Sequence, residues 1–128
     1  MMTDPIADML TRIRNSSAAH RGEVEIPYSK VKFTIAKIIE KCGFIGAVTV
    51  NEEAKTLVVK LRYDNRRPAF ENIRRVSKPG RRVYAKTDEL KTVRSATGIA
   101  IISTSQGMMT NLEARDRKLG GEIVCEIY

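Results

Sequence analysis

The chain has 128 residues, 42% of them hydrophobic, enough for one domain or two small packed halves with a buried core. Its 23 Lys and Arg exceed 15 Asp and Glu, a net charge of +8 that favours a polyanionic partner such as a nucleic acid. No segment approaches the roughly 20 apolar residues of a membrane span, the glycines match neither a P-loop nor a dinucleotide fingerprint, and Cys42 and Cys125 fit no metal spacing, so a reduced, cytoplasmic chain without a cofactor is expected.

Asp4 is placed to cap a first helix with Pro5 at its first position, and Ile6, Met9, Leu10 and Ile13 fall on one apolar face. Asp8 can support Arg12 one turn on. An extended Val24-Glu25-Ile26 ends at Pro27, and Ser29 then caps a second helix with the stripe Val31, Ile35, Ile38, Ile39 and Cys42, stopped by Gly43. Strands follow over 47–50 and 56–63, joined by the polar turn 51–55. Asp64-Asn65-Arg66-Arg67-Pro68 reads as a linker, which divides the chain into an N-terminal α/β half, 1–64, and a strand-rich C-terminal half, 65–128.

In the second half, strands over 70–76 and 82–85 flank Ser77-Lys78-Pro79-Gly80, where Pro before Gly suits a type II turn, so a hairpin carrying arginines is expected. A short helical turn is predicted over 88–93, and 98–104 is a continuous apolar strand. Thr110-Asn111-Leu112-Glu113 has capping-box spacing and opens a short helix that ends in Arg115, Arg117 and Lys118 before Gly120-Gly121. A last strand covers 123–127. The fold class is therefore α/β in the α+β sense, two small packed α/β halves.

Charge is unevenly placed. Residues 1–64 carry a net +2 and residues 65–128 a net +6, with Arg66, Arg67, Arg74, Arg75, Lys78, Arg81, Arg82, Lys86, Lys91 and Arg94 just upstream of the apolar strand. That strand runs into Ser103, Thr104 and Ser105, small donor and acceptor side chains at the end of a rigid element, where an RNA backbone or base edge can meet them. Their alternative role is to close a hydroxyl-rich turn. Tyr84 is either a stacking platform or a half-buried strand tyrosine. His20, the only histidine, has no metal partner in sequence and reads as a loop or helix-end residue. Acyl transfer finds no Gly-x-Ser-x-Gly elbow, and a nuclease or esterase built on Ser103 or His20 lacks paired acid and base groups.

The run from Gly98 to Arg115 resembles the signature of the small-subunit ribosomal protein family numbered eight. The stretch from Asp4 to Asn15 resembles the family's opening, Arg75-Val76-Ser77-Lys78-Pro79-Gly80 its central turn, and Leu119-Gly120-Gly121-Glu122 its closing motif. The resemblance implies a non-enzymatic constituent of the small ribosomal subunit that binds small-subunit ribosomal RNA early in assembly, beside neighbouring ribosomal proteins. It also implies that the C-terminal half makes most of the RNA contact. In many family members it extends to repression of a ribosomal-protein messenger. Carried over by position, the RNA-binding residues are Ser103, Thr104, Ser105, Tyr84 and Glu122, whereas Arg82 and Lys86 lie at varied positions and Arg81 and Lys78 are chosen on charge. A stand-alone RNA-binding regulator or chaperone using the same surface is the competing expectation.

Overall fold

Pro5 opens α1 (Pro5–Ala18), and its buried side chains Met9, Leu10 and Ile13 follow the spacing read from the sequence. The Asp8 carboxylate accepts from Arg12 Nε at 2.9 Å on the exposed side. The computed structural model describes residues 3–90 and 98–128. It holds two compact units, one formed by residues 5–71 and the other by the amino-terminal residues up to Asp4 with 72–128.

In the first unit, β1 (Glu23–Pro27), β2 (Val48–Asn51) and β3 (Thr56–Lys60) form an antiparallel sheet in the order β1-β3-β2. Between β1 and β2, α2 (Lys30–Lys41) starts where Ser29 Oγ accepts from Lys32 N at 3.1 Å, the expected cap. Its buried face is Lys32, Ile35, Ala36 and Ile39, while Val31 is 44% exposed and Cys42 lies outside. The predicted stripe is thus turned by one residue at its start. Ile35 and Ile39 fix the inward face, position 32 falls three residues before Ile35 on that face, and the Lys32 stem is covered as long basic side chains allow. Gly43, at φ +86°, ends the helix as expected.

The segment read as a linker is a tight hairpin. Here β4 (Tyr63–Asp64) pairs with β5 (Arg67–Pro68), and Asn65 and Arg66 both sit at positive φ, 53° and 68°. Two consecutive left-handed residues make the primed turn whose twist suits paired strands, so residues that look like chain breakers act as a connection.

The second unit contains β6 (Ile73–Arg75), β7 (Tyr84–Ala85), β8 (Ile99–Thr104), β9 (Gly107–Thr110), α3 (Asn111–Asp116) and β10 (Gly121–Ile127). Its antiparallel sheet runs β6-β10-β8-β9, with β7 also paired to β10. The expected hairpin between β6 and β7 does not form as a ladder. Instead both dock on β10, β6 against residues 125–127 and β7 against 121–122. Only Lys78 and Arg81 bridge to each other. Buried Ser77 closes the gap, its Oγ accepting from Val83 N at 2.9 Å.

The apolar strand read over 98–104 corresponds to β8, and Ser105 and Gln106 then turn the chain back into β9, an element the sequence reading did not place. Thr110 caps α3, its Oγ1 accepting from Glu113 N at 3.2 Å. A 3-10 turn covers Thr87–Glu89. The rest of the predicted helical turn over 88–93 from residue 91 on, with Lys91 and Arg94, lies outside the described residues. One face of the sheet packs Ala100, Ile102 and Met109 against Ala114 and Leu90, with Ala85, Leu119 and Ile123 around them. Cys125 is fully buried in β10, and burial pushes its thiol pKa up to about 12. Among the described residues no disulfide forms.

Candidate nucleic-acid interface

Strand register gathers the candidate side chains. In β10, Glu122 is directly opposite Tyr84 of β7 on one side and Ser103 of β8 on the other, and Ser103 is in turn opposite Met108 of β9. Opposed residues of antiparallel strands project from the same face, so Tyr84, Glu122 and Ser103 form one row across three strands. Tyr84 is 69% exposed, a large aromatic surface left in water. The Glu122 side chain is 19% exposed, and its Oε2 accepts from Arg82 Nη1 at 3.0 Å.

Along the segment through β7, Arg82, Tyr84 and Lys86 are exposed while Val83 and Ala85 between them are half-buried. That alternation is the period of two of an extended chain, and it adds a cation on each side of the aromatic ring. The Lys86 backbone N–H donates to Glu89 Oε1 at 2.8 Å, which fixes the end of the segment and leaves the ammonium outside.

The three hydroxyls separate by role. Thr104 Oγ1 donates to the Gly107 carbonyl at 2.7 Å and accepts from Gln106 N at 3.1 Å, so it closes the turn between β8 and β9. Among the described residues, the hydroxyls of Ser103 and Ser105 have no hydrogen-bond partner within the protein. Ser105 stands exposed at the turn tip, and Ser103 is half-buried in the row.

Of the basic residues, several are already engaged. Arg74 Nη2 lies 3.0 Å from Glu126 Oε2, and Arg75 Nε lies 3.0 Å from Asp4 Oδ2 with both side chains largely buried. Arg75 Nη1 also donates to the Val124 carbonyl at 2.6 Å, at the bulge where β10 shifts register against β8 between Ile123 and Cys125. A bulge bends a strand and re-aims its neighbours, so this clamp lies two residues from Glu122 and fixes the strand there. Lys78, Arg81 and Lys86 are exposed, with no acidic partner among the described residues. Arg66 and Arg67 belong to the other unit, as does His20, which stacks on Tyr63 with ring centroids 5.5 Å apart.

Sequence reading missed Gly121, Asp4 and Arg75 as determinants of this geometry. A Cβ on Gly121 would fall on the Ser103 carbonyl, so the glycine lets β10 approach β8 beside the row. Two adjacent glycines immediately before Glu122 were the available signal. Among the described residues no group of three metal-ligating side chains occurs.

The protein-family model described as Ribosomal protein S8 matches residues 4–128. The chain is similar to the small ribosomal subunit protein uS8 of Persephonella marina, 51% identical over 136 residues that cover all of both chains. The protein of the same name from Caldanaerobacter subterraneus is 52% identical over 131 residues, covering 100% of this chain and 99% of the relative. That from Syntrophus aciditrophicus is 50% identical over 131 residues, covering 99% and 98%.

Proposed function

The chain belongs to the ribosomal protein S8 family, and from that premise we propose that it binds small-subunit ribosomal RNA directly, as an early assembly protein, through the row of Tyr84, Glu122 and Ser103. It is a structural constituent of the small ribosomal subunit, not an enzyme, and it works in the ribosome in the cytoplasm beside ribosomal RNA and other ribosomal proteins.

The observation that carries the reading is the register that sets an exposed tyrosine, an oriented carboxylate and a serine hydroxyl with no hydrogen-bond partner among the described residues side by side. An A-form RNA helix offers proteins its shallow minor groove, lined with 2′-hydroxyls and base edges. Ser103 and Ser105 can donate to or accept from those groups. Glu122 repels phosphates and accepts only from donors, so it favours a base amino group or a 2′-hydroxyl over backbone. Arg82, held by Glu122, keeps the carboxylate aimed. Tyr84 supplies a ring for a base or ribose, and Lys86 with Lys78 and Arg81 supplies the phosphate attraction that dominates affinity. Thr104 acts indirectly, by shaping the turn that carries Ser105. An RNA element of the same shape in a ribosomal-protein messenger would meet the same surface, and repression of that messenger belongs to the proposal.

Hydroxyl-radical footprinting of the full chain on small-subunit RNA tests it. Protection of one helical region is expected, weakened by Tyr84→Ala and by Ser103→Ala. Unchanged protection in both variants would overturn the assignment of the row.

A further inference from the structure

The turn Lys78-Pro79-Gly80-Arg81 sets two like charges face to face. Lys78 N donates to the Arg81 carbonyl and Arg81 N to the Lys78 carbonyl, each at 2.9 Å, so the two side chains leave directly opposed positions of a closed bridge. Like charges in that arrangement repel and destabilise the pairing. Neither has an acidic partner among the described residues.

Both side chains line a cleft of about 230 Å³, together with Arg74, Arg75, Val76 and Val83. Arg74 and Arg75 have Glu126 and Asp4 as counterions, which leaves the charge of Lys78 and Arg81 uncompensated at the cleft. Val76 and Val83 give it an apolar wall, next to which a charge pair is screened less than in open water. We propose that this cleft is a phosphate seat, which takes one backbone phosphate of the bound RNA between Lys78 and Arg81. An anion there removes the repulsion that the turn otherwise maintains. Lys78 and Arg81 stand outside the row of Tyr84, Glu122 and Ser103, so the seat fixes the RNA backbone at a second point. Only the source of the phosphate rests on the proposed RNA function; the anion chemistry does not.

The test compares thermal unfolding of the full chain in inorganic phosphate and in chloride at matched ionic strength. A saturable rise in Tm specific to phosphate is expected, and it should vanish in the double variant Lys78→Gln, Arg81→Gln and shrink in Arg81→Gln alone. The double variant should unfold at no lower temperature than wild type in low salt, because its repulsion is gone. With small-subunit RNA, the slope of log K against log salt should fall by roughly 0.9 for the one phosphate no longer neutralised. A phosphate effect no larger than that of chloride, or one retained by the double variant, overturns the seat. Phosphate stabilisation with an unchanged RNA slope overturns the assignment to RNA. Tyr84→Ala must leave the phosphate effect intact, so failure of the row and failure of the seat give different results.

Discussion

Gly121 and Ser103 meet with no space for a side chain between them: a Cβ on Gly121 would overlap the Ser103 carbonyl and lie 3.2 Å from Ile102 Cγ2. Gly121→Ala therefore forces β10 away from β8 at the point where Glu122 and Ser103 align. Overpacking of this kind costs about 1–3 kcal/mol, and cognate RNA affinity should fall with it. Gly22, where a Cβ meets nothing within 4 Å, is the control, and Gly22→Ala should leave RNA affinity unchanged. Urea denaturation and RNA titration of both variants check this. A Gly121→Ala protein as stable as wild type would remove the close approach as a determinant.

Asp4 faces a guanidinium that water hardly reaches, since the Arg75 side chain is 8% exposed and that of Asp4 18%. Asp4→Asn leaves a mostly buried cation without its counterion, a loss of about 3 kcal/mol at the lower end of the range for broken buried pairs. Arg74→Ala, at a pair whose arginine is 60% exposed, should cost under about 1 kcal/mol. Equilibrium denaturation of the two variants gives the comparison, and equal losses would contradict the difference in burial.

Cys125 makes stability fall at alkaline pH. Its folded pKa of about 12 exceeds that of an exposed thiol, so between about pH 9 and 12 the unfolded chain releases a proton that the folded chain keeps. Stability contributed by the neutral thiol is full below the unfolded pKa and declines as pH rises, by about 1.4 kcal/mol per unit. Cys125→Ala should be less stable at pH 7, where a small cavity remains, but show a shallower decline above pH 9. Urea midpoints across that range measure the difference between the two slopes.

Ser103 and Thr104, neighbours in sequence, should respond differently. Ser103→Ala removes a hydroxyl that has no hydrogen-bond partner among the described residues and should weaken cognate RNA by about 1–3 kcal/mol while leaving unrelated duplex RNA and the salt slope unchanged. Replacing the contacted 2′-hydroxyl by hydrogen should cost wild type a similar amount and the variant little more. Thr104→Val breaks the bonds to Gly107 and Gln106, so it should lower Tm and weaken both RNAs alike. Titrations at matched salt with both RNAs distinguish the two patterns.

Local chemistry made much of this protein legible from its residues in order. Pro5 with the spacing of Met9, Leu10 and Ile13, the Ser29 and Thr110 caps, and the apolar run of β8 depend on hydrogen bonds and periodicities that close within a few residues. The charge excess of the C-terminal half and the residue types of the candidate interface are likewise properties of the chain itself. Partnership across the sheet is different, because a strand's ladder partner comes from any distance along the chain. Only the tertiary structure sent β6 and β7 to β10 instead of to each other, folded Gly107–Thr110 into β9, and so aligned residues 84, 103 and 122. It also decided which cations face water: Arg75 and Lys78 are three residues apart in one basic run, yet the first is buried on Asp4 and the second stands exposed, because burial follows the packing of the whole sheet and not the charge of the local segment.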